Sequence, residues 1–136
     1  MANLSDYTEG LIATWLAGGD APTQLTTVFL DVYSTLPIED GTGGVSVMTA
    51  LTGSANRKTL TTSSSFTATA DIVKNNLIEL TTDAGACNIG GFAIWTAVSG
   101  GSMLYYGSLL VNNAQVAIGA GDTVRFDADA IVLTVA

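Results

Sequence analysis

Apolar and polar side chains alternate with a period of two residues through most of this chain, and its opening segment is the exception. In "NLSDYTEGLIATWLAGGD", Leu4, Leu11, Ile12, Trp15 and Leu16 recur at helical spacing on one stripe. That pattern predicts an amphipathic α-helix over about residues 4–17. Asn3 or Ser5 can cap its first amides, and Asp6 and Glu9 lie near the positive end of its dipole. Gly18-Gly19 ends it, since glycine accepts the left-handed conformation that a helix terminus favours. Gly10 within the pattern costs about 1 kcal/mol relative to alanine, so this helix needs tertiary packing to persist.

After Pro22 the period changes to two. "LTTVFLDVY" sets Val28, Leu30 and Val32 against Phe29, Asp31 and Tyr33, and ends in the turn-rich "STLPIEDGTGG". "RKTLTT", "SFTATA" and "NNLIELTT" are Thr-rich and alternating, as half-buried strands are. "LTTSSSFTATA" is biased in composition but alternates, so it reads as a strand with a serine turn. "DAGACNIGG" breaks the run, "AQVAIGAGDTVRF" adds two short strands, and "AIVLTV" closes the chain.

The richest aromatic stretch is "GGFAIWTAVSGGSMLYYGSLL", two β-type runs around Ser99-Gly100-Gly101-Ser102, which is a hairpin signature. Strict alternation places Phe92, Ile94 and Val98 on one face, and likewise Met103 with Tyr105, Leu109 and Val111. Trp95, Leu104, Tyr106 and Leu110 take the opposite faces. Both faces are apolar, so both should be covered. Interface or core positions are therefore expected at Leu11, Trp15, Phe92, Ile94, Trp95, Met103, Tyr105, Tyr106 and Leu110, from the helix and this hairpin. About eight strands with turn signals between them indicate a mainly β fold. The expected architecture is one antiparallel β-sandwich (jelly-roll-like) or barrel over about residues 24–136, preceded by the short helix. Without internal repeats or a linker, residues 1–136 read as a single domain.

Charge narrows the function. Four basic against twelve acidic residues give a net charge of −8, and Arg57-Lys58 is too small a patch for phosphates, so direct nucleic-acid binding is not expected. Charged residues make up 12% of the chain, against about 25% in ordinary domains. A surface of small neutral residues costs little to desolvate, which suits a protein covered by partners. No basic leader or long apolar run predicts a signal or a membrane span.

Chemistry is scarce. Histidine is absent, which removes Ser-His and Cys-His dyads and most transition-metal sites. The lone Cys87 lacks a base, and reads as a small packed thiol. Asp127 and Asp129 at two-residue spacing, and Glu39-Asp40 beside Gly41, read as strand-end and turn acids without the cleft residues of a sugar hydrolase. "EDGTGG" lacks the acid spacing of a calcium loop. "GTGG" and "GAGD" lack the lysine and the strand–glycine–helix order of phosphate loops. No catalytic residue, cofactor or metal is expected, and the chain is not expected to be an enzyme.

Several stretches carry a resemblance: the opening helix ending near glycines, "TVFLDVYSTLP", "DGTGG", "GSANRKTLT", the aromatic hairpin, and "AGDTVRFDADAIVLTV". Together they resemble a family of short tailed-bacteriophage virion proteins often labelled "phage tail fibre protein", small β-sandwich proteins of heads or tails. One departure is Ser54, where the family usually has a tyrosine before the alanine. The resemblance implies a non-enzymatic virion component, made in the cytoplasm of the bacterial host. Its implied partners are the major capsid protein or tail proteins and further copies of itself, a trimer being one candidate. The acidic balance argues against the capsid lumen, leaving the outer surface of the head or the tail. Compact size without a shaft favours a capsid decoration (cement) protein, with a tail fibre or tail-tip subunit as the alternative. A host-glycan-binding module, with Trp15 or Tyr33 as the aromatic to test, is a third. Copy number per particle separates the first two.

Overall fold

The computed structural model describes residues 2–81 and 84–134. Thirteen short strands and three helices occupy them in the order β1 (Ala2–Leu4), α1 (Asp6–Leu16), β2 (Thr27–Thr35), β3 (Val45–Ser46), α2 (Met48–Thr52), β4 (Lys58–Thr61), α3 (Thr62–Ser65), β5 (Phe66–Thr69), β6 (Ile72–Asn75), β7 (Ile78–Thr81), β8 (Cys87–Ile89), β9 (Gly91–Trp95), β10 (Met103–Ser108), β11 (Val116–Ile118), β12 (Val124–Phe126) and β13 (Val132–Thr134). The mainly β expectation holds. Two expected strands end beyond what is described: "NNLIELTT" at Thr82 and "AIVLTV" at Val135.

Nine strands form one sheet in the order β3-β2-β9-β10-β1-β13-β6-β5, with β4 also on β2. The sheet curls into a half-barrel, the barrel-like form of the two expected architectures. Its pairings are antiparallel except β1 with β13, which is parallel. Two ribbons, β7–β12 and β8–β11, stand apart from this sheet. Strands outnumber the roughly eight expected because β1, β3, β6 and β8 form in segments that carry no strand pattern of their own in the expectation. The serine turn expected in "LTTSSSFTATA" is a single helical turn, Thr62–Ser65, before β5.

The β2 alternation behaves as written. Val28, Leu30 and Val32 enter the main core with Phe92 and Ile94 of β9, while Phe29 and Tyr33 join a smaller cluster on the other face. The ribbons and α2 close over the main core through Ile78, Val124, Phe126, Met48 and Leu51. Phe92 meets Phe126 edge-on, at 6.3 Å between ring centroids. One buried polar side chain locks this cover in place. Asn75 accepts from the Ile131 N–H at 2.7 Å and donates to the Asp127 carbonyl at 2.9 Å.

The hairpin exists, but strict alternation fails inside it. Pairing passes from Met103↔Trp95 to Tyr105↔Ile94, so Leu104 is the extra residue of a β-bulge. Met103 therefore shares the Trp95 face, and Leu104 turns with Tyr105 to the main core. This reverses the expected grouping of Met103 with Tyr105 and of Leu104 with Trp95. Val98 lies beyond β9 and is exposed. Leu4 likewise leaves the helical stripe, because it belongs to β1, opposite Tyr105.

Candidate functional site

Two neighbouring features carry the aromatic residues that the sequence singles out. The first is the outer face of the β2–β9–β10 sheet. Tyr33, Ala93, Trp95 and Met103 are buried there, with Phe29, Leu36 and Tyr106 packed around them. The cover comes from loops. Gly41, in the left-handed region at φ +87°, sits where a Cβ would lie 3.1 Å from Trp95 Cη2, so the loop rests directly on the indole. The Arg57 guanidinium also stacks on the same ring, 3.8 Å from its centroid.

Arg57 is held there by a carboxylate. Its Nε donates to Asp31 Oδ2 at 3.1 Å, with both side chains about nine-tenths buried. Its Nη1 donates to the carbonyls of Ala97 (2.9 Å) and Gly100 (2.6 Å), which ties it to the hairpin turn. Asp31 also accepts from Ser46 Oγ (2.6 Å) and from the Tyr33 hydroxyl (3.0 Å). The Tyr33 oxygen in turn accepts from Trp95 Nε1 at 3.1 Å. Burial, then the adjacent Asp31 charge, holds the Tyr33 proton well above the usual phenol range. Among the described residues no buried side-chain nitrogen or oxygen lacks a partner. The donors and acceptors of this network are committed to one another, and what it does chemically is tie the Arg57 loop, the hairpin turn and β3 to β2 around Trp95.

The second feature is α1. Ser5 is its N-cap and accepts from the Thr8 N–H at 3.3 Å. The bulge explains where the helix stands: the Ser5 hydroxyl donates to the Met103 carbonyl, and Thr8 Oγ1 donates to the Leu104 carbonyl at 2.7 Å. A bulge leaves carbonyls out of the ladder, and these two serve as the helix footing. Beyond this footing α1 buries nothing fully. Leu11 and Ile12 are half-buried, whereas Trp15 is 51% and Leu16 75% exposed.

The named candidates therefore divide. Phe92, Ile94, Trp95 and Met103 are buried, Tyr105 and Tyr106 half-buried, Leu11 half-buried, and Trp15 and Leu110 exposed. Phe92, Ile94 and Tyr105 face the main core; Trp95, Met103 and Tyr106 face the loops. Tyr33 is buried at 4% exposure, so it offers no platform to a glycan. Sequence reasoning missed Arg57 and Asp31 as partners. An acid at a strand position that alternation turns away from the main core was the available signal.

The acids resolve into separate roles. Asp40 accepts from the N–H and hydroxyl of Thr42, at 2.8 and 2.7 Å, and these bonds hold its carboxyl below the usual range. Asp127 and Asp129 share no strand face; they follow β12 and pair with Arg125 (3.0 Å) and Lys74 (3.4 Å). Asp6, Glu9 and Glu39 bring exposed carboxylate oxygens within 4.8 Å of one another, a set that would suit only a hard, oxygen-preferring cation. Burial, then Glu39 and Asp6, raises the nearby Tyr106 pKa. Cys87 opens β8 rather than lying in a loop, and partial burial pushes its thiol up. "GAGD" is a turn, closed by the Gly119 N–H on Asp122 Oδ2 at 2.7 Å.

A small β half-barrel with a tightly clamped aromatic face and a helix standing off it defines a mainly β module. The model of the family described as podophage GP4 fiber I protein gp80 matches residues 3–134, and the chain belongs to that family. It is a phage fibre protein and thus a component of the virion. No curated protein matches the chain. The family match lends no support to shell decoration over a fibre.

Proposed function

We propose that this chain is a non-enzymatic structural subunit of a tail fibre, held in the particle by contacts with tail proteins and with further copies of itself. The observation that carries the reading is α1, a helix anchored at its first turn whose aromatic and aliphatic end is left for another surface. Fibre membership supports the tail over the shell, and so replaces the preference for capsid decoration that compact size suggested. A net charge of −8 supports protein partners rather than packaged nucleic acid. The Asp31–Arg57–Tyr33 network supports a scaffold rather than a reacting centre, since its groups are spent on one another. No helix among the described residues is long and apolar enough to cross a membrane.

The experiment is to quantify the chain in purified particles and to locate it with a gold-labelled antibody. A small number of copies clustered at the tail is the expected result. Copies by the hundred spread over the head would return the role to decoration.

A further inference from the structure

Every residue from Ala13 to Thr26 is exposed, and this arm includes Trp15, Leu16 and Leu25. Its near end is tethered where Thr62 donates to the carbonyls of Leu25 and Thr26. Between the tether and the Ser5–Thr8 footing the backbone bonds run within the arm, Gly18 to Trp15 and Gly19 to Thr14. Isolated helices shorter than about 12–15 residues are marginal in water. This one has 11 residues, contains Gly10 and three β-branched side chains, and buries none of them fully. The helix requires a second surface.

The same molecule offers one. Ile89, Leu109, Val116, Ile118 and Phe126 line an open apolar groove of about 350 Å³ between the ribbons, to which α1 contributes no residue. Arg125 and Asp127 both line the groove, and the bridge between them joins two exposed side chains, an arrangement weak enough for Arg125 to re-pair. The last turn of α1 has no basic residue, so its carbonyl end is uncompensated, and Asp20 follows. Apolar stripe thus matches apolar groove, and the negative helix end matches the groove's arginine. Packing α1 on another α1 would instead bring Asp6, Glu9 and Asp20 of each copy together.

We infer that the α1 arm of one copy seats Trp15 and Leu16 in the β8–β11–β12 groove of a second copy. Each copy gives an arm and receives one, a head-to-tail contact that makes a ring where the rotation between copies closes and a filament where it does not. The inference rests on the reading of this chain as an assembling fibre subunit, and it names the partner and the surface.

Mixed crosslinking tests it. In a Cys87→Ser background, Leu16→Cys chains are mixed with Ile118→Cys chains and oxidised. The expected product is a disulfide dimer containing one of each, absent when Thr69→Cys replaces Ile118→Cys. Chains carrying both substitutions should give a ladder of linked copies. Leu16→Cys chains linking only to each other, or no link above the Thr69→Cys control, would overturn the inference. Trp15→Ser with Leu16→Ser should weaken self-association by roughly 100-fold, as loss of a central aromatic anchor does. Near-ultraviolet dichroism from Trp95 should stay unchanged in that variant, and an unaltered sedimentation profile would also overturn the contact. If the protein enters tails normally yet never forms the mixed crosslink, the contact falls and the fibre reading stands. Absence from tails removes the fibre reading, and the crosslink still decides the contact.

Discussion

Arg57→Met removes the cation from Asp31 while keeping an apolar stem beside Trp95. Asp31 is 5% exposed, so water cannot replace the lost partner, and Tyr33 and Ser46 are left to solvate the carboxylate alone. Breaking a buried pair from one side costs about 3–5 kcal/mol. Losing the stacking on Trp95 adds about 1 kcal/mol within that range, whereas the Ala97 and Gly100 carbonyls lie near solvent and can be hydrated. Against a total stability of about 5–15 kcal/mol this is a large fraction. With a urea slope of about 1–3 kcal/mol per molar, the unfolding midpoint should fall by roughly 2 M. Urea titration followed by the fluorescence of Trp95, in a Trp15→Phe background, reads the change. Adding Asp31→Leu to Arg57→Met should restore part of the loss, because the stranded charge is gone, and the double-mutant cycle reports that coupling. A shift in Arg57→Met below about 1 kcal/mol, the level of an exposed ion pair, would refute the reasoning.

Other expectations follow from the same contacts. Asn75→Leu strands the Ile131 N–H and the Asp127 carbonyl, and should cost about 2–3 kcal/mol in thermal or urea unfolding, unfolding the β12–β13 connection first by hydrogen exchange. Gly90→Ala drives a Cβ into the Ser34 carbonyl, a backbone atom that cannot step aside, and should leave little soluble protein on expression. Tyr33 and Tyr105 have folded pKa values raised above the usual 10.0, chiefly by burial. Their contribution is therefore complete below pH 10 and drains away as pH rises beyond it, because the unfolded chain loses those protons first. Tyrosinate absorbance should show these two rings ionising together with alkaline unfolding. Reversible titration near pH 10 in the folded state would contradict their burial.

Local chemistry was legible wherever one side chain decided it. The β2 alternation separated Leu30 from Asp31, the Ser-Gly-Gly-Ser turn announced the hairpin, and Ser5 was one of two named caps. The bulge at Leu104 was not legible, since an inserted residue leaves composition unchanged and only the partner strand reveals it. Leu4 fitted a helical stripe by spacing, yet a strand partner over a hundred residues away outweighed that weak local preference. Arg57 and Asp31 lie 26 residues apart, so no spacing rule connects them, and Arg57-Lys58 invited reading as a sparse surface charge. The helix was foreseen to need packing, and its own chain supplies that packing only at the first turns.

The placement of β1 has a bearing on how the molecule comes into being. Ala2 lies between Gly107 of β10 and Leu133 of β13, so an earlier-made segment waits for partners made much later along the chain. Until the ribosome has delivered both neighbours, the curl stays open and its interior wet. Pairings so distant along the chain make folding slow and expose unpaired edges meanwhile. Closure of the half-barrel therefore follows the synthesis of β13, and a host chaperone that shields the nascent β2–β9–β10 core should raise the yield of assembly-competent subunits.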